Sequence, residues 1–228
     1  MKSRLNMLFA VAILFGAATV VMAQAGGSMQ KPAPATTGSY DKALLNPAAL
    51  NAKAPETFDV KFSTTVGDFT VHVTRAWAPN GADRFYNLVK HHYFDGSAFY
   101  RAIAGFMAQW GISGVPEVDR VWENATIKDD PVTHSNKRGM LTFAATGAPN
   151  SRGTQLFISF GDNSYLDKDR FAPLGEVTSG MDVVDKINTS YANVDPDAVS
   201  KGGTAYIKNK YPNMTIIKTT TLVEAPKP

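Results

Sequence analysis

Phe58, Val60 and Phe62 alternate with Asp59, Lys61 and Ser63, and beyond Gly67-Asp68 the alternation resumes at Phe69, Val71 and Val73. A period of two places every second side chain on one face, which predicts a half-buried β-hairpin turning at Gly67-Asp68. Further strands are expected at Phe99–Gly111 (bent at Gly105), Gly139–Ala144, Gln155–Phe160 and Thr215–Val223. A helix opens at Pro79-Asn80, with Phe85, Leu88, Val89 and His92 at helical spacing, and a short helix follows at Met181–Ile187. Thr204–Lys210 has room for one or two helical turns. The segments 112–136, 145–154 and 166–175 read as loops, the first carrying short strands. Short strands with two principal helices predict an antiparallel barrel or sandwich whose open ends the helices cover.

Ahead of this domain the chain changes character twice. Lys2 and Arg4 followed by the apolar run Leu8–Val21 and by Val21-Met22-Ala23 have the form of a cleaved signal peptide, residues 1–23, leaving Gln24 first, with Ala25 as a second candidate site. Residues 24–56 are rich in Ala, Pro, Gly, Thr and Ser and read as a flexible linker, with Asp41–Leu45 as a helical turn against the domain. The domain is then 57–228, including a C-terminal extension 188–228. The expected product is exported, periplasmic or secreted, with no stable membrane insertion after cleavage.

Composition narrows the function. Removal of Met1–Ala23 takes Lys2 and Arg4 and no acid, so 21 basic face 20 acidic side chains. With no Lys/Arg cluster, nucleic acid is not an expected partner. The absence of cysteine excludes thiol chemistry and leaves the core to hold an exported fold. His91 and His92 are adjacent and so lie on different helix faces, unlike the i, i+4 pair of a helical metal site. No nucleophile elbow, phosphate loop, dinucleotide fingerprint or His-Glu-x-x-His occurs, and neither metal nor cofactor is expected.

What remains is the apolar stretch Phe99–Gly111, which carries Arg101 and Gln109. A guanidinium is seldom buried without a partner. One reading is a core strand whose arginine reaches the surface; the other is a site, with Arg101 and Gln109 among Phe106, Met107, Phe143, Phe157, Leu166 and Phe171. Such a pocket lacks a base or nucleophile, yet it suits rotation about an X-Pro amide, whose barrier of roughly 18–20 kcal/mol is resonance between nitrogen and carbonyl. A charged donor near the imide nitrogen favours the twisted, pyramidal nitrogen over the planar ground state.

At this point the sequence resembles the cyclophilin-type peptidyl-prolyl isomerases. Phe99-Tyr100-Arg101 with Gly105-Phe106-Met107-Ala108-Gln109 is similar to one family signature, and Gly139–Ala144 with Pro149-Asn150-Ser151 and Thr154–Ile158 to a second. Tyr165-Leu166-Asp167 and Phe171–Val177 are similar to a third, so the likeness runs from Phe58 to Ile187. The resemblance implies an eight-stranded antiparallel β-barrel capped by two α-helices, a groove for proline-containing segments of exported or unfolded proteins, and a monomer. It implies that Arg101 is the catalytic arginine and that Phe106, Met107, Phe157 and Leu166 line the proline pocket. Gln109 would orient the arginine or hold the peptide, Ala144 and Ala145 would offer backbone groups, and Gln155 would border the next pocket. Tyr100 and Phe171 stand where the family often has His, Ala145 where it has Asn, and Tyr165, a rim position, where cyclosporin-binding eukaryotic members have Trp. An active isomerase is the favoured reading, and a non-catalytic proline-peptide-binding or chaperone module on the same fold is the alternative.

Overall fold

A computed structural model describes residues 40–223, so the signal-peptide segment and the first part of the linker lie outside the described residues. Eight strands form one antiparallel sheet: β1 Thr57–Thr64, β2 Gly67–Thr74, β3 Arg101–Ile103, β4 Met107–Trp110, β5 Met140–Phe143, β6 Leu156–Ser159, β7 Pro173–Ser179 and β8 Ile217–Val223. Their order is β3-β4-β6-β5-β7-β2-β1-β8. The sheet curls until the chain before β3 meets the chain before β8. Phe99 N–H donates to the Thr215 carbonyl at 3.0 Å and Ile217 N–H to the Ser97 carbonyl at 2.9 Å, closing a half-barrel into a barrel-like wall.

The first hairpin has the expected alternation, with Phe58, Val60, Phe62, Phe69, Val71 and Val73 all buried. Its turn is two residues earlier than expected. Thr65-Val66 turn the chain, and Gly67, at φ 130°, already pairs with Thr64. Thr64 supports the turn by donating from Oγ1 to the Gly67 carbonyl at 2.6 Å. The Phe99–Gly111 stretch does more than bend at Gly105: it reverses there, at φ 73°, into the β3-β4 pair.

Among the described residues there are four α-helices, α1 Pro79–Lys90, α2 Pro116–Trp122, α3 Met181–Val184 and α4 Pro196–Lys210, where two principal helices and one or two helical turns at Thr204–Lys210, now the end of α4, were expected. Helix α1 packs Phe85, Leu88 and Val89 into the barrel, but it ends before His92, which lies at φ 57°. Helix α2 sits within 112–136, which was expected to be a loop with short strands; Pro116 starts it and Val118 and Trp122 bury its inner face. Residues 166–175 likewise hold the end of a 3-10 turn, Ser164–Asp169, and the start of β7. Local polarity hid both, because each is anchored by tertiary contacts.

The part of the linker that is described, 40–56, lies against the domain. Leu44 is 1% exposed, Trp122 Nε1 donates to its carbonyl at 2.8 Å, and Asn87 exchanges hydrogen bonds with the Ala52 backbone. Asp41 caps the short 3-10 helix Lys42–Leu45 by accepting from Ala43 N–H, as a helical turn there requires. At the other end, α4 is broken at Gly203, whose φ of 61° and ψ of −161° are not helical. A Cβ at Gly203 would lie 2.6 Å from the Gly114 carbonyl oxygen, so only glycine allows α4 to pack on the start of α2. The extension therefore carries a second small core, with Val194, Val199, Ile207 and Met214 around Ala98, Tyr100 and Ile112.

Candidate functional site

Strand pairing builds the site. Arg101 pairs with Gln109 across β3-β4, Gln109 with Phe157 across β4-β6, and Phe157 with Thr142 across β6-β5. Their strand neighbours Ala102, Ala108, Trp110, Leu156, Ile158, Leu141 and Phe143 belong to the interior cluster. The period of two therefore sends Arg101, Gln109, Phe157 and Thr142 to the outer face as one row across four strands. Met107 is outward as well, and 2% exposed.

Polar contacts along this row run in one direction. Arg101 Nη1 donates to Gln109 Oε1 at 3.2 Å, and Gln109 Nε2 donates to the Tyr100 hydroxyl at 2.6 Å and to Gln155 Oε1 at 3.0 Å. The Tyr100 hydroxyl in turn donates to Gln155 Oε1. Burial pushes the Tyr100 phenol well above its ordinary pKa, against smaller opposing effects of the Arg101 charge and the Gln109 hydrogen bond. It is therefore a neutral donor at any physiological pH. The Arg101 guanidinium centre stands 6.0 Å from the Phe106 ring centroid.

Aromatic side chains flank the row. Phe106 stacks on Tyr165 at 6.3 Å, and Phe157 meets Phe171 edge-to-face at 5.9 Å. Tyr165 is 54% exposed, in keeping with a rim position, and Leu166 is half-buried beside it in the 3-10 turn. Asn136 ties this turn to the row. It donates to Asp167 Oδ1 from N–H and Nδ2 and to the Phe171 carbonyl from Nδ2, while its Oδ1 accepts from Thr142 Oγ1 at 2.8 Å. Burial acts to raise the Asp167 carboxyl, but hydrogen bonds from Ser135 and Asn136 outweigh it and hold the pKa below its ordinary value.

Arg101, Gln109, Phe106, Met107, Gln155, Phe157, Tyr165, Leu166 and Phe171 thus share one surface. Two assignments change. Phe143 is fully buried on the opposite face of β5, inside the barrel, because it neighbours the outward Thr142; it is a core residue and not a pocket wall. Ala144 has already used its N–H on the Gln155 carbonyl at 2.9 Å, so it has only its carbonyl left to offer, beside the half-buried Ala145. Trp110 packs against Phe62, Phe94 and Phe99 in the core. Sequence reasoning passed over Tyr100 and Asn136 as site residues. Tyr100 was visible as a departure from the signature beside Arg101; Asn136 gave no signal, since its partners come from three separate segments. Two surface cavities, about 290 and 360 Å³, lie elsewhere, lined by Arg138, Phe160 and Asp185 and by Leu50, Asn80 and Arg84 respectively. The site is the outward row with its flanking aromatic side chains.

The comparisons with known proteins bear on this site. The family model described as cyclophilin type peptidyl-prolyl cis-trans isomerase/CLD matches residues 58–218, from β1 to the start of β8. A peptidyl-prolyl cis-trans isomerase of Acinetobacter baylyi is 33% identical over 149 residues, 63% of this chain and 79% of that protein. One of Dictyostelium discoideum is 36% identical over 142 residues, 60% of this chain and 88% of that protein. A crystal structure of a Cryptosporidium parvum cyclophilin type peptidyl-prolyl cis-trans isomerase superposes with a TM-score of 0.56 at 19% identity, covering 75% of this chain and 99% of that one. Another structure of that Cryptosporidium protein was obtained in the presence of the dipeptide Ala-Pro.

Proposed function

The chain belongs to the cyclophilin-type peptidyl-prolyl cis-trans isomerase family and is an isomerase; from that premise we propose that it turns X-Pro bonds of exported proteins by differential binding of the twisted amide at Arg101. One observation carries this reading: Arg101 is held by Gln109 on the same outward row as Phe157, with Phe106 beside it. A proline ring seated on Phe157, Met107 and Leu166 brings its imide nitrogen beneath the guanidinium. Twisting the amide ends resonance and leaves a lone pair on nitrogen, to which Arg101 donates; the planar ground state has no such lone pair to offer. The interaction exists mainly in the transition state, so it accelerates rotation without proton transfer or a covalent bond.

The peptide backbone meets Gln155 and the Ala144-Ala145 segment. Support for a proline-containing ligand comes from the apolar side chains of Phe106, Met107, Phe157 and Leu166 beside Arg101 and from the Ala-Pro present with the Cryptosporidium relative. Support for export comes from the charged and apolar pattern of residues 1–23. A monomer is favoured by the covering of the sheet edges: residues 192–194 lie along β3, and Asp95 accepts from Thr220 N–H on β8 at 2.8 Å.

Exchange NMR on a short X-Pro peptide tests the reading. Faster cis-trans exchange in the presence of the protein is expected. Shifted peptide resonances without faster exchange would replace the enzyme by a proline-binding module. Mass analysis of the exported chain is expected to find Gln24 at its start, and a retained Met1 would remove the export proposal.

A further inference from the structure

Tyr100 has no place in the mechanism above, yet it is the most enclosed polar group around Arg101. Only 2% of it is exposed, and its ring lies in the second core with Val194, Val199 and Ile207. Its backbone is fixed by the same segment: Val194 N–H donates to the Tyr100 carbonyl at 3.0 Å, and Ala102 N–H donates to the Ala192 carbonyl at 2.9 Å. An antiparallel bridge between Arg101 and Asn193 completes this clamp on the outer edge of β3. The extension thus grips the strand that carries the arginine and seats the tyrosine beside it.

We propose that Tyr100 is a positioning residue of the isomerase site, its hydroxyl setting the orientation of the Gln109 amide so that Oε1 faces Arg101. The inference rests on the isomerase reading and deepens it.

The argument follows from donors and acceptors. Gln155 Oε1 can only accept, so the single Tyr100 proton goes to it. The Tyr100 oxygen must then accept, and the group facing it must be the Gln109 amide nitrogen, as found at 2.6 Å. That leaves Gln109 Oε1 for Arg101, which can only donate. A flipped Gln109 would set an amide N–H against the guanidinium and its carbonyl against both Gln155 Oε1 and the Tyr100 oxygen, whose proton is already given, which is three mismatches at a glutamine that is itself only 9% exposed. The hydroxyl therefore keeps an acceptor behind the guanidinium and holds Arg101 where the twisted imide needs it. With phenylalanine at this position, Gln109 keeps only Gln155 as a partner on that side.

Tyr100→Phe tests the inference, because it keeps the ring in the second core and removes only the hydroxyl. The expected result is a kcat lowered roughly 3- to 10-fold, the range of one lost hydrogen bond, with KM nearly unchanged. In a Gln109→Ala background the same substitution is expected to have no further effect, since its route to Arg101 is gone. Losses that multiply in the double variant, or a Tyr100→Phe kcat equal to wild type, would overturn the inference. If Tyr100→Phe fails to fold, Gln155→Ala removes the acceptor of the Tyr100 proton instead; an unchanged kcat there would equally overturn it. Arg101→Ala measured alongside separates the two levels. An active wild type that loses its rate in Arg101→Ala while Tyr100→Phe keeps it sinks only this inference; an inactive wild type sinks the isomerase reading and this inference with it.

Discussion

Single residues in this protein divide between those the solvent sees and those set deep in polar clusters, and Asp119 shows the energetic consequence of the second kind. It is 6% exposed, accepts from Ser113 N–H at 2.8 Å and from the Tyr93 hydroxyl at 3.2 Å, and its Oδ2 has no hydrogen-bond partner among the described residues. Burial raises its pKa to about 6, and the hydrogen bonds from Ser113 and Tyr93 only partly offset this. A carboxyl raised in the folded state binds its proton there at a pH where the unfolded chain has lost it. Between about pH 4 and 6 the native state holds more protons, so stability falls as pH rises through that window, by roughly 2–3 kcal/mol. Urea denaturation at pH 4, 5, 6 and 7 is expected to show this slope in the wild type and a flatter one in Asp119→Asn. Parallel profiles for the two proteins would mean that Asp119 is not the group responsible. Arg101 itself was legible in the sequence, as a charge in an apolar run; the partners of Tyr100 were not, because Gln109 and Gln155 reach it through strand pairing that no local pattern encodes.

Among the elements, the strands of the hairpin β1-β2 and the start of helix α1, though not the hairpin's turn or the helix's end, were read correctly because period and start signal are local. The helix's N-terminal cap was not, since its N-cap residue, Ala78, has no polar side chain. The cap comes from the 123–136 segment. Asp130 accepts from Asn80 N–H at 3.0 Å and Gly81 N–H at 2.9 Å, and Arg152 Nη1 donates to the same carboxylate at 3.0 Å. The side chains of Arg152 and Asp130 are 1% and 2% exposed. Arg152 also donates to the Lys128 carbonyl, so one buried guanidinium joins the loop before β5, the loop before β6 and the start of α1. Arg152→Met leaves Asp130 buried without a cation and is expected to destabilise the fold by about 3–5 kcal/mol in urea denaturation. Adding Asp130→Asn is expected to recover part of that loss, because the stranded charge is removed. A single variant within about 1 kcal/mol of wild type would show that the helix N-terminus alone supports the carboxylate. The unexpected helix α2 and the unexpected first half of α4, ahead of the turns expected at Thr204–Lys210, belong to the same lesson: each is held by remote contacts, α4 through Gly203 against Gly114 and α2 through Trp122 against Leu44.

For the whole molecule, the eight-strand count and the groove were implied by the resemblance to a family, while period alone left barrel and sandwich open. Periodicity explains why Arg101, Gln109 and Phe157 face outward together; it also explains why Phe143, one step from Thr142, does not join them. The outer row needs a rigid wall behind it, and the interior cluster of Phe62, Phe85, Phe94, Phe99 and Trp110 supplies that wall. The central claim is that Arg101 binds the twisted imide better than the planar one. It is tested most directly by comparing wild type, Arg101→Lys and Arg101→Ala in both rate of X-Pro exchange and peptide affinity, with melting temperature as the check on folding. The side chain is only half-buried, on the outer face of the sheet, which makes folded variants the expectation. The account predicts that Arg101→Ala lowers kcat by about 10²–10³ while peptide Kd changes by only a few-fold, with Arg101→Lys in between because one ammonium cannot serve Gln109 and the imide with the same fork. A rate that falls only in step with lost affinity would contradict it, since the arginine would then hold the peptide without favouring its rotation.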